Sequence, residues 1–223
     1  MTGATSRYDT VVLDIDGTLV DSNYHHVLAW HRAFRDVGEE VPCWRIHRSI
    51  GMGGDRLVGA AAGNDVEHRL GDRVRAAWES EYDELLHEPV AFPGARELLA
   101  ALRDRDLKVV LASSSIPRHA RRVLELLEAE ALVDAATTSE DAEESKPDPE
   151  LVELAIDRVD GTSSLLIGDS VWDVVAAKRV GIPIVAVECG GFSEAELRGA
   201  GAARVFPSVT DLLGDLDTVL SGR

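Results

Sequence analysis

Short apolar runs alternate with helical periodicities along most of this chain. TVVLDID, from Thr10 to Asp16, is rich in β-branched residues, as a strand buried on both faces requires, and it stops at a turn at Gly17. LKVVLAS from Leu107, SSLLIGD from Ser163 and IPIVAV from Ile182 repeat the pattern. LVDAATT from Leu132 is a more polar variant, and ARVFPS from Ala202 is short enough to suit a sheet edge. Between the runs, ARELLAALRDR from Ala95 sets Leu98, Leu99 and Leu102 at helical spacing, and HARRVLELLEAE from His119 does the same. PELVELAIDRV from Pro149 and VVAAKRVG from Val174 follow, the latter ending at Gly181 as a helix C-cap does. Strands alternating with helices predict a parallel sheet covered on both faces, and right-handed crossovers make it doubly wound, a Rossmann-like α/β core.

One segment departs from this rhythm. From about Asp21 to Pro89 no buried strand is apparent. NYHHVLAWHRAFRDVG, DRLVGAAAG and VEHRLGDRVRAAWESEYDELL read as helices, with the glycine-rich SIGMGGD between the first two. The pattern predicts a helical cap lobe over 21–89 inserted into a core of 1–20 and 90–223, with hinges near Asp21–Ser22 and Pro89–Pro93. The opening residues and the terminal SGR read as dispensable.

Composition narrows the classes of partner. Lys and Arg number 23 and Asp and Glu 40, for a formal charge of −17 across 223 residues. Such a surface repels nucleic acid and anionic lipid, and the acid excess also serves solubility. No apolar stretch is long enough to span a membrane, and the start lacks a signal-peptide pattern. Cys43 and Cys189 lie far apart, without metal-ligand or disulfide spacing. Together these features predict a cytoplasmic protein with neither a nucleic-acid nor a membrane partner. They leave the oligomeric state open.

Polar residues gather where strands end, which is where open α/β sheets bind ligands. In DIDGTLVDS, Asp14 and Asp16 are two apart and share a face of an extended strand, the closeness that a nucleophilic carboxylate and an acid/base carboxylate need around one atom. After VVLA come Ser113, Ser114 and Ser115, then Pro117, so hydroxyls and N–H groups meet a helix start and make an anion site. Lys146, in SKPDPE, is a cation placed to neutralise a phosphate or carboxylate. Asp169 and Asp173, in GDSVWD, offer oxygen ligands to a hard cation such as Mg²⁺. Each motif alone also fits a plain turn, helix cap or surface loop.

In this order, DIDGT, LASSS, KPDP and GDSVWD resemble the motifs of the haloacid-dehalogenase-like hydrolase superfamily, nearest the branch of phosphoglycolate phosphatases and β-phosphoglucomutases. The resemblance covers nearly the whole chain, including the place of the helical lobe. It implies that Asp14 is the nucleophile that forms an aspartyl-phosphate and that Asp16 is the acid/base. It implies that Thr18, Ser113, Ser114 and Lys146 serve the phosphate-binding loop. Asp14, the Asp16 carbonyl, Asp169 and Asp173 would form the Mg²⁺ site, Asp173 more remotely. His26, Trp30 and Arg48, with the SIGMGGD loop, are its cap-side candidates for substrate contact; Trp30 as lobe core and His26 as a surface residue are the alternatives.

The chemistry agrees with metal dependence. Two charges on a phosphate facing one carboxylate at 4 Å cost about 8 kcal/mol at an effective dielectric near 20, and a divalent cation reverses the sign. Such a mechanism asks Asp16 to begin protonated, with a raised pKa, while Asp14 stays ionised. The expected activity is hydrolysis of a small phosphomonoester. A mutase-like phosphoryl transferase is the alternative, disfavoured because Gly168 stands where those relatives commonly carry an acid. A non-catalytic phosphate-binding or scaffold role is more distant. No nucleotide-binding glycine motif is present. Phosphoglycolate, a hexose phosphate and a nucleoside monophosphate all remain open as substrates.

Overall fold

The computed structural model describes residues 6–222. The opening residues read as dispensable, and the last residue of the SGR tail, lie outside that range. From β1 (Thr10–Leu13) the chain passes through β2 (Val20–Asp21) into four helices: α1 (Asn23–Asp36), α2 (Cys43–His47), α3 (Gly54–Ala62) and α4 (Asn64–Leu85). It returns through β3 (Val90–Ala91) and continues as α5 (Ala95–Arg103), β4 (Lys108–Ala112), α6 (Pro117–Leu126), β5 (Ala135–Thr137), α7 (Glu150–Asp157), β6 (Ser164–Gly168), α8 (Val171–Val180) and β7 (Ile184–Val187). The last elements are α9 (Glu194–Ala200), β8 (Arg204–Phe206), α10 (Val209–Gly214) and α11 (Leu216–Ser221).

Six strands form one parallel sheet in the order β5-β4-β1-β6-β7-β8. The run of apolar residues in each central strand serves two faces at once. Val11 and Leu13 of β1, Val109 and Leu111 of β4, and Leu165 and Ile167 of β6 pack with α5, α6, α10 and α11. Their neighbours Val12, Val110 and Leu166 pack on the opposite face against α7, α8 and α9. Period-2 side chains between two helical layers thus account for strands that are apolar throughout. Each fully buried Val or Leu contributes roughly 1.5–3 kcal/mol.

Helix ends follow the chain's polar signals. Ser170 caps α8 by accepting from the Asp173 N–H, Asp173 reciprocates with its carboxylate, and Gly181 closes the helix in the left-handed region. α6 starts two residues before the periodicity suggests, because Pro117 fits a first helical turn.

The segment between β2 and β3 buries its own apolar cluster, including Val27, Trp30, Phe34, Ile46, Leu57 and Val58. Its borders hold two elements too short for a pattern to register: β2 and β3 pair antiparallel through Val20 with Ala91 and Asp21 with Val90. The short helix α2 is equally silent in the apolar spacing. No helix among the described residues is long and apolar enough to cross a membrane.

Candidate active site

The parallel sheet brings the C-terminal ends of β1, β4 and β6 side by side, and with them Asp14, the serines after Ala112 and Asp169. Asp14, Asp169 and Asp173 are all buried, and each places a carboxylate oxygen within 4.8 Å of the others. Lys146, fully buried, donates to Asp14 Oδ1 and lies 2.8 Å from Asp173 Oδ1. Three carboxylates against one ammonium leave two negative charges uncompensated in a low-dielectric pocket. Burial, with repulsion from Asp173 and Asp16, pushes Asp14 up to about 7 despite Lys146. Burial, then Asp173 and Asp14, raise Asp169 well above the carboxylate range. Burial would lower Lys146, but Asp14 and Asp173 outweigh it and hold the ammonium charged. A divalent cation fits this donor set: hard oxygens, close spacing and a surplus of two charges.

Asp16 has different surroundings. Its Oδ1 accepts from Ser22 Oγ (2.6 Å) and lies 3.1 Å from His26 Nε2. Its Oδ2 accepts from Ser115 Oγ at 2.7 Å. Burial favours the neutral acid, but His26 and the hydrogen bonds from His26, Ser22 and Ser115 outweigh burial and hold Asp16 well below the carboxylate range. The order of pKa values is therefore the reverse of the expected one, with Asp14 raised and Asp16 lowered. The reason is partnership: Asp16 has three polar neighbours, whereas Asp14 faces other carboxylates.

The remaining candidates separate by where their side chains go. Thr18 is fully buried, and its Oγ1 donates to Asp169 Oδ1 at 2.9 Å, so it orients a carboxylate. Gly17 makes that turn possible, since its φ is +81° and a Cβ there would lie 2.4 Å from Asp169 Oδ2. Ser113 is buried and accepts from the Ser115 N–H at 3.0 Å. Ser114 lines the cavity beside Asp14 and Asp16.

On the helical side, His26 and Trp30 of α1 line the same cavity, with the Ile50–Gly54 loop. His26 is buried rather than a surface residue; it stacks on Tyr82 at 3.8 Å between ring centroids, and Trp30 stacks on Trp78 at 4.8 Å. Arg48 lies away from the cavity. Its guanidinium pairs with Glu196 of α9 (2.7 Å) and covers the Phe192 ring, and its carbonyl accepts from Trp172 Nε1. The substrate-contact expectation for Arg48 is thus replaced by a bridge between α2 and the sheet side.

Several residues at the site carry no local signature. Ser22 and Ser115 hold Asp16. Asn23 donates through Nδ2 to Asp169 Oδ2 and to the Gly190 carbonyl, both at 3.1 Å. Trp78 and Tyr82 come from α4, more than fifty residues after His26 in the chain is first laid down beside them. Only Ser115, the third of three serines at a strand end, had a signal to follow.

A family model described as haloacid dehalogenase-like hydrolase matches residues 8–181. A phosphoglycolate phosphatase of Cupriavidus necator is 30% identical over 81% of this chain and 80% of its own length. A phosphorylated carbohydrates phosphatase of Thermotoga maritima is 29% identical over 78% of this chain and 82% of its own. The crystal structure of a hydrolase from Pseudomonas syringae superposes with a TM-score of 0.90 at 34% identity, covering 95% of this chain and 99% of that one.

Proposed function

Because the chain belongs to the haloacid dehalogenase-like hydrolase family, we propose that it is a Mg²⁺-dependent phosphatase that cleaves a small phosphomonoester through an aspartyl-phosphate on Asp14. The observation that carries the reading is the buried trio Asp14, Asp169 and Asp173, with Lys146 against it and Asp16 across the cavity. Asp14, Asp169 and Asp173, with the Asp16 main-chain carbonyl, would hold the ion. Its charge would offset the surplus negative charge and the repulsion between Asp14 and a phosphate dianion.

In the first step an Asp14 carboxylate oxygen attacks phosphorus, the bond from phosphorus to the ester oxygen breaks, and that oxygen takes a proton from Asp16. In the second, water attacks the phosphoryl group on Asp14, Asp16 takes the water's proton, and the bond to Asp14 breaks. Ser22, His26 and Ser115 favour ionised Asp16, the form needed to accept that proton. The first step draws on the protonated form, which the same three groups disfavour. Lys146 holds Asp14 in place and draws off charge as phosphorus is attacked.

Residues 21–89 act in this reading as a cap, whose Trp30, Trp78 and Ile50–Gly54 loop shield the cavity from water. Gly168, standing where mutase-like relatives commonly carry an acid, supports hydrolysis over transfer. Phosphate release from p-nitrophenyl phosphate, measured with Mg²⁺ and with EDTA, tests the proposal. Release is expected only with the metal, and undiminished release in EDTA overturns it.

A further inference from the structure

The cavity beside Asp14 and Asp16 is small, about 40 Å³. A cleft of about 260 Å³ adjoins it, sharing Gly54, Trp78 and Ser114 with its wall. An ester whose phosphoryl group occupies the first has room for its alcohol part in the second. The chemistry of that cleft is one-sided. Its acidic residues are Asp55 and Glu79 from the helical segment and Glu143 and Glu144 from the loop before α7.

Among the described residues lining the two cavities, the one permanent cation is Arg75. Its guanidinium is already held: Nη1 donates to Glu67 Oε1 (2.9 Å) and to the Gly54 carbonyl (3.1 Å), and Nη2 donates to Asp72 Oδ1 (2.8 Å). Turning it toward a ligand breaks these bonds. Of the carboxylates, Asp55 accepts from Ser145, Glu79 pairs with Arg118 and Glu144 with Arg56, while Glu143 has no ion-pair partner among the described residues. Trp78 adds the face of an aromatic ring to the wall.

Resting on the phosphatase reading, we propose that this cleft receives a polyhydroxylated leaving group of sugar or cyclitol size, neutral or bearing a protonated amine. The substrate is then a phosphate monoester without a second anionic group. Carboxylates accept hydrogen bonds from hydroxyl and ammonium groups. A leaving group with its own carboxylate meets Glu143, which has no ion-pair partner among the described residues, three further carboxylates already engaged, and no free cation, a built-in discrimination against it.

The test compares kcat/KM for glucosamine-6-phosphate, glucose-6-phosphate and phosphoglycolate, with p-nitrophenyl phosphate as reference. The two hexose esters are expected to exceed phosphoglycolate by at least about tenfold. Glu143→Lys, on an exposed loop, is expected to narrow that ratio by about tenfold, and Glu143→Gln by less. Phosphoglycolate cleaved as well as the hexose esters, while p-nitrophenyl phosphate is still turned over, overturns the cleft assignment alone. A folded Glu143→Lys protein with an unchanged ratio also overturns it. No release from any of the four esters overturns the phosphatase reading and this inference with it.

Discussion

The sheet ends and the helical segment that faces them build their sides of the cavity in different ways. The sheet side concentrates charge: Asp14 and Asp169 follow strand ends directly, Asp173 sits in the first turn of α8 and Lys146 in the loop before α7, above a register that runs Leu13 beside Leu111 and Ile167. The helical side supplies surface: Trp30, Trp78, Tyr82 and His26 form an aromatic wall whose members stack on one another. In the proposed reaction one side sets what bond is broken, the other what surrounds it. The two should therefore respond differently to substitution.

Asp14→Asn is the sharpest way to separate them. Turnover of any phosphomonoester is expected to fall at least about a thousandfold, because the proposed nucleophile is gone. Stability should not fall with it, since the change removes one of three crowded carboxylates. Activity within tenfold of the parent would refute the assignment of Asp14, and a lowered Tm in EDTA would contradict the charge surplus.

Lys146→Met tests that surplus from the other direction. Without the ammonium, Asp14 and Asp173 face each other buried and unpaired, and breaking such a pair costs about 3–5 kcal/mol. A marked loss of Tm in EDTA is expected, partly recovered by Mg²⁺. An unchanged Tm would mean that the ion pairs of Lys146 contribute nothing net to the fold.

The same contrast explains what could be read from the chain. Each sheet-side motif is a few consecutive residues, DIDGT and GDSVWD directly after an apolar strand and KPDP directly before a helix, so they announce their place and their chemistry together. The aromatic wall has no such local form. Trp78 and Tyr82 sit in α4 at ordinary helical spacing, and only the packing of α1 on α4 turns them toward His26. Arg48 misled for the same reason: its sequence position put it in the helical segment, but the turn after α2 directs it to Glu196. The bond from the Thr18 hydroxyl back to Asp169 is set by a backbone turn that no local pattern announces. The inverted pKa order of Asp14 and Asp16 depends on Ser22 and His26, at the start of α1, and Ser115, after β4, meeting one carboxylate from two parts of the chain.

Asn23 joins the two sides, as the first residue of α1 bonded to a candidate metal ligand. Asn23→Ala removes the donor to Asp169 and to the Gly190 carbonyl, leaving buried acceptors short of a partner at a cost of about 1–3 kcal/mol. Mg²⁺ affinity, read by titration calorimetry, is expected to weaken about 10–100-fold, the usual consequence of losing a group that orients a ligand. Stability lost with Mg²⁺ affinity intact would make Asn23 a purely structural clamp.

The smallest effect lies at the seam between α4 and α6. Asp83 accepts from Arg118 (2.7 Å) and lies 2.9 Å from His119 Nε2. Burial would raise Asp83, but its bonds to Arg118 and His119 outweigh burial and lower it below its ordinary 3.8. Its contribution is therefore complete above pH 3.8 and is lost as pH falls through the lower folded value. His119 is lowered from 6.5 chiefly by burial. Below pH 6.5 the unfolded chain takes up a proton that the folded one resists, so stability declines there too. Asp83→Asn should cost about 0.2–1 kcal/mol at neutral pH, as befits a half-exposed pair. In melts from pH 8 to pH 3, the gap to the parent should close at the acid end. A gap that persists at pH 3 would show that Asp83 holds the seam through shape and hydrogen bonding, and that its charge contributes nothing there.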